Sequence, residues 1–86
     1  NVHLYSTPGH TGNCCTVVVY NVDDGARGTV AITGDLFESE DDLVNERLWM
    51  DEGSIDPAAQ RRNREAILSF ADYIVPGHGP IFRVSK

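Results

Sequence analysis

Three side chains in the 86-residue sequence have both the type and the setting to bind a metal: His10, Asp35 and His78. His10 sits in Ser6-Thr7-Pro8-Gly9-His10-Thr11-Gly12, Asp35 follows Gly34, and His78 lies in Pro76-Gly77-His78-Gly79-Pro80. Each comes directly after a short apolar run that reads as a strand. A lone loop histidine is ordinarily solvated or hydrogen-bonded, and Gly34-Asp35 taken alone reads as a strand-end turn. Glycine, however, admits close backbone approach while proline restricts the turn, so the two loops can present an imidazole at small entropic cost. Imidazole nitrogen and carboxylate oxygen suit the same borderline cations. Three such strand-end ligands, 25 and 43 residues apart, are hard to ascribe to coincidence.

Other chemistries find less support. Neither Cys14 nor Cys15 has a readable histidine partner, no serine sits in a Gly-x-Ser-x-Gly elbow, and there is no phosphate-binding glycine-rich loop. Water activated by a metal is the chemistry that is left. His3, within a strand and without a turn, reads as a surface or packing residue. Thr7 and Thr11 are candidates for hydrogen bonds that orient the His10 loop. The adjacent cysteines point to opposite faces of a strand and read as reduced packing residues, in line with a reducing compartment.

The elements that must position these groups follow from periodicity. Val2 and Leu4 alternate with His3 and Tyr5, as in a half-buried strand. Cys14 to Tyr20 is continuous and β-branched, as in a central strand covered on both faces. Asp23-Asp24-Gly25 is a turn signal that predicts an antiparallel hairpin with Thr29 to Thr33. The acidic run Glu38 to Asp42 reads as a solvated loop, with Ser39 as the cap of a short helix, and Trp49 as a packing residue. Asp56-Pro57 is the clearest helix start, with aspartate at the N-cap and proline at the first helical position. The helix predicted from Pro57 to Ala71 would be roughly 22 Å long, with Ala59, Asn63, Ala66, Ile67, Phe70 and Ala71 on one face. Arg61, Arg62, Arg64 and Glu65 fall mostly on the other. A strand over Tyr73 to Val75 and an extended piece at Ile81 to Val84 close the chain.

Composition bounds these readings. At 41% hydrophobic and 23% charged residues the sequence suits an ordinary globular fold with a modest core. No run approaches the roughly 20 apolar residues that span a bilayer. The formal net charge of −6 argues against a nucleic-acid face built from this segment. Asn1 runs straight into a strand-like segment, and the expectation is a piece of a longer chain.

Thr7-Pro8-Gly9-His10-Thr11, Gly34-Asp35 and Gly77-His78-Gly79 together resemble the third, fourth and fifth motifs of the metallo-β-lactamase superfamily. The resemblance extends through Gly34-Asp35-Leu36-Phe37-Glu38, Trp49, the Asp56-Pro57 helix and Val75 to Val84, so it covers essentially the whole chain. It implies an α+β fold: the C-terminal half of an αββα sandwich, with a mostly antiparallel sheet and one long helix. By that similarity two zinc ions per complete domain, with iron as an alternative, would be bound. His10 would complete one site, Asp35 would bridge both and act as the catalytic residue, and His78 would belong to the second. The family's His-x-His-x-Asp-His motif is absent from these 86 residues, which is why the segment is expected to be the C-terminal half only. The resemblance further implies a hydrolase, in the first instance an endoribonuclease acting on histone pre-mRNA 3′ ends in cytoplasm and nucleus. A thioester hydrolase of the hydroxyacylglutathione type is the alternative, and a catalytically inert or partner-binding segment is the reading for the 86 residues alone. RNA or a small thioester would be the partner, a homodimer is compatible, and a membrane is not.

Overall fold

The computed structural model describes residues 1–51 and 53–85. Its five strands, β1 (Val2–Ser6), β2 (Cys15–Val22), β3 (Gly28–Gly34), β4 (Tyr73–Pro76) and β5 (Phe82–Arg83), form one sheet in chain order. Pairings β1/β2, β2/β3 and β4/β5 are antiparallel, and β3/β4 is parallel. A parallel pair needs a long crossover, and here it carries a short helix α1 (Arg47–Met50) and the long helix α2 (Pro57–Phe70). The result is the expected α+β arrangement, mostly antiparallel with one long helix.

These pairings fix strand direction. Because β1 and β3 both oppose β2, and β4 runs with β3, the strands β1, β3 and β4 point the same way. Their exits therefore lie at one end of the sheet, and His10, Asp35 and His78 follow those exits.

One sheet face is closed by α2. Val18, Ala31, Ile74 and Phe82 pack with Leu36, Phe37, Ile67, Ala71 and Val84, and Tyr20, Leu68 and Phe70 pack against this cluster. The opposite face holds the cross-strand row Leu4, Val17, Ile32 and Val75. Leu4 is 69% exposed and Ile32 43%. This corrects the sequence reading of β2 as covered on both sides: Thr16 and Val18 are buried, while Val17 and Val19 are only half-buried. The single long helix can shield one face only. Strand β1, expected to be half-buried, is exposed along its whole length: Val2 and Leu4 lie on the uncovered face, and His3 and Tyr5, in register with the buried Val18 and Thr16, lie at the sheet edge.

Helix α2 starts where Asp56-Pro57 predicts. The Asp56 Oδ1 atom accepts from the Ala59 N–H at 3.1 Å, a cap that contributes about 1 kcal/mol. The helix stops at Phe70, one residue earlier than expected, because Ala71 is already extended (φ −77°, ψ 142°). Its buried residues are Ala59, Gln60, Arg64 and Ile67, so Arg64 belongs to the inner face and Ala66 to the outer one. Trp49 is buried, as the packing reading requires.

Candidate metal centre

The acidic run after β3 is the expected solvated loop only in part: Glu40 and Asp41 are exposed, but Glu38 and Asp42 turn inward. Asp42 is fully buried and faces Arg64. The guanidinium donates to Asp42 Oδ1 at 2.9 Å, Asp42 Oδ2 at 3.1 Å, the Asp42 carbonyl at 3.2 Å and the Leu36 carbonyl at 2.8 Å. It also lies over the rings of Phe37 and Trp49. Every acceptor demand of the buried carboxylate is thus met by a rigid fork, the condition under which such a pair is tolerated in a core. The Glu38 N–H also donates to Asp42 Oδ2, at 2.7 Å. Ser39 precedes a 3-10 turn over Glu40–Leu43, but its side chain makes no cap hydrogen bond; Asp42 organises the segment in its place.

The segment after β3 is stitched to the turn after β4. The Gly77 N–H donates to the Phe37 carbonyl at 2.9 Å and the His78 N–H to the Glu38 carbonyl at 2.8 Å. Helix α2 fastens the same segment from below, with Gln60 Nε2 donating to the Asp35 carbonyl at 3.3 Å. It also fastens the His10 loop: Asn63 Nδ2 donates to the Pro8 carbonyl at 2.8 Å. The Gly9 carbonyl accepts from the Ile55 and Asp56 N–H groups at 3.0 and 2.9 Å. Thr7 does not reach His10; its hydroxyl shares a 2.8 Å hydrogen bond with that of Thr16. Thr11 helps to close the loop through its carbonyl, which accepts from the Gly9 N–H at 3.0 Å.

All three residues expected from the sequence meet. His10 Nε2 lies 3.4 Å from Asp35 Oδ2, and His78 Nε2 lies 3.0 Å from Asp35 Oδ1. Asp35 therefore stands between two imidazoles, one carboxylate oxygen toward each. A fourth group is present that the sequence reading assigned to solvent: Glu38 Oε2 is 3.4 Å from His78 Nε2 and Oε1 is 4.0 Å from His10 Nδ1. Its side chain is only 13% exposed, against 68% for His78. The signal that could have found it is its place three residues after Asp35 on a segment pinned at both ends. The cysteines take no part: both are free thiols, Cys15 exposed, with Cys14 Sγ 3.1 Å from the Thr11 hydroxyl. His3, exposed, stacks edge-on against Tyr20.

Two features bear on whether this cluster suits a cation. His10 Nδ1 is buried and has no hydrogen-bond partner among the described residues, a state that ordinarily costs about 1–3 kcal/mol. Second, Gly77 forms a cradle beside Asp35: a Cβ there would overlap Asp35 Oδ1 and the Gly34 backbone. Donor atoms of His10, Asp35 and Glu38 that could bind one ion all lie within 4.8 Å of one another. Nitrogen and carboxylate donors in this proportion suit zinc or iron(II), so the residues fit the group the family would hold.

Gly9 supplies a test of how the loop is seated. Its φ of +151° lies where L side chains are strained, and an added Cβ would overlap the Gln60 backbone and Cβ. Replacing Gly9 by Ala should therefore lift the His10 loop off α2 and lower stability by about 1–3 kcal/mol, measurable by urea denaturation.

The chain is similar along its whole length to proteins that carry a metallo-β-lactamase domain. It is 48% identical over 85 residues to Metallo-beta-lactamase domain-containing protein 1 of Rattus norvegicus, covering 99% of this chain and 32% of that protein. It is 47% identical to the Homo sapiens protein of the same name, covering 99% and 30%. An uncharacterized protein of Caenorhabditis elegans is 41% identical over 88 residues, 100% of this chain and 23% of its own length. The chain thus spans between about a quarter and a third of the curated relatives it matches. No family model matches it.

Proposed function

We propose that the chain contributes the metal ligands His10, Asp35 and His78 to a metal-dependent hydrolase, as the C-terminal half of the catalytic domain. The observation that carries this reading is the meeting of these three side chains at the exits of β1, β3 and β4, with one Asp35 oxygen toward each histidine. A divalent cation held there would supply Lewis acidity and draw the pKa of water toward neutrality. The chain's own residues do the rest of the positioning. Asp35 is anchored through its backbone to Gln60, and the loop bearing His10 is anchored through Gly9 and Pro8 to the start and middle of α2. Reacting groups held on such a frame lose little freedom when substrate arrives, which is where much of a barrier can be removed.

The substrate we infer is RNA, cleaved as histone pre-mRNA 3′ ends are, in cytoplasm and nucleus. The similarity to Metallo-beta-lactamase domain-containing protein 1 supports the class of metal-dependent hydrolase, and the RNA substrate is what the family resemblance implies. A second reading, hydrolysis of a glutathione thioester, is favoured by the formal net charge of −6. A polyanion would need basic residues from elsewhere in the polypeptide, whereas a small thioester would not. The complete polypeptide bearing this segment should be loaded with zinc and offered single-stranded RNA and a glutathione thioester in parallel. RNA cleavage is the expected result. Thioester turnover with intact RNA would reject the nuclease reading, and neither activity would reject both.

A further inference from the structure

We propose that Glu38 is a further metal ligand, acting beside His10, Asp35 and His78; the inference rests on the metal-centre reading above. Around a tetrahedral cation with bonds of about 2.0–2.2 Å, neighbouring donor atoms stand about 3.3–3.6 Å apart. The Glu38 Oε2 to His78 Nε2 separation of 3.4 Å matches this edge, as does the 3.4 Å from His10 Nε2 to Asp35 Oδ2. Asp35 Oδ1 lies 3.0 Å from the same His78 nitrogen, and one donor atom each of Glu38, Asp35 and His10 all lie within 4.8 Å of one another. A competing role for Glu38 would be to orient His10 through its Nδ1, as carboxylates commonly do for ligating histidines. The 4.0 Å separation from Nδ1 to Oε1 is too long for that hydrogen bond, and Nδ1 has no other partner among the described residues.

Backbone placement supports ligation as well. Glu38 is held at its N–H by Asp42 Oδ2, at its carbonyl by the His78 N–H, and next door by the Phe37 to Gly77 bond. Asp42 is in turn locked by Arg64.

The test is a zinc titration of the complete polypeptide bearing this segment by competition with a chromogenic chelator, repeated with cobalt(II) and read by visible absorption. The unaltered chain, Glu38→Gln and Asp35→Ala are compared, with circular dichroism to show that each is folded. Glu38→Gln should weaken zinc binding more than about 100-fold, beyond the 10–100-fold typical of an outer partner. It should also change the position and intensity of the cobalt bands, because a directly bound oxygen is altered. If Glu38→Gln fails to fold, Glu38→Asp, which keeps the charge and shortens the reach, should show the same loss. An unchanged cobalt spectrum with a loss under tenfold, while Asp35→Ala abolishes binding, overturns the role of Glu38 and leaves the metal centre standing. No zinc binding by the unaltered complete polypeptide overturns both.

Discussion

Replacing Arg64 by Met should lower the unfolding free energy by about 3–5 kcal/mol, the cost of leaving a buried charge without its partner. The substitution keeps the aliphatic stem of the side chain and removes the guanidinium. The fully buried Asp42 carboxylate then keeps, among the described residues, only the Glu38 N–H. The Leu36 carbonyl also loses its donor at 2.8 Å. For a domain of this length the whole stability is about 4–13 kcal/mol, so the variant should lose a large share of it, as urea titration followed by circular dichroism would show. Adding Asp42→Leu should restore part of the loss and no more, because the Glu38 N–H would then be left without its acceptor, at about 1–3 kcal/mol. Full restoration would mean that the pair serves only to fill volume. A loss under about 1 kcal/mol for Arg64→Met alone would mean that water reaches Asp42.

Asp35→Ala should have the opposite profile, leaving the fold and removing the centre. The carboxylate stands between His10 and His78, at 3.4 and 3.0 Å. Its backbone carbonyl still accepts from Gln60 after truncation, so the melting midpoint should hold. Zinc affinity should fall by more than about 100-fold, past the range seen for outer partners. Chelator competition and a thermal melt on the same sample separate the two effects. Unchanged affinity would remove Asp35 from the centre.

Most of the frame was legible because it rests on local rules. Asp56-Pro57 marks the start of α2 through capping and the fixed φ of proline, and Asp23-Asp24-Gly25 marks the hairpin. In that turn Asp23 and Asp24 adopt positive φ, which aspartate tolerates. His10, Asp35 and His78 were legible because glycine and proline flank them at strand ends. What was missed depends on contacts between distant parts of the chain. Glu38 and Asp42 look like any acidic run until Arg64, on the next helix, turns inward to meet Asp42; helical spacing alone places that arginine among its charged neighbours on the outer face. The exposure of Val2 and Leu4 was likewise invisible, since alternation marks which side chains share a face but not whether anything covers it.

The separate anchoring of β1 and the His10 loop has a consequence for motion. Strand β1 is exposed along its length and held to the molecule mainly by its ladder with β2, so it is the segment that should open at the smallest free energy. The loop that follows it is tied instead to the start of α2 through Ile55, Asp56 and Asn63. Fraying of the edge strand can therefore proceed without releasing His10. In deuterated water the amides of Val2 to Ser6 should exchange in an early phase, and those of Ile55 and Asp56 in a later one together with the helix. The imidazole would keep its place while the strand leading to it comes and goes.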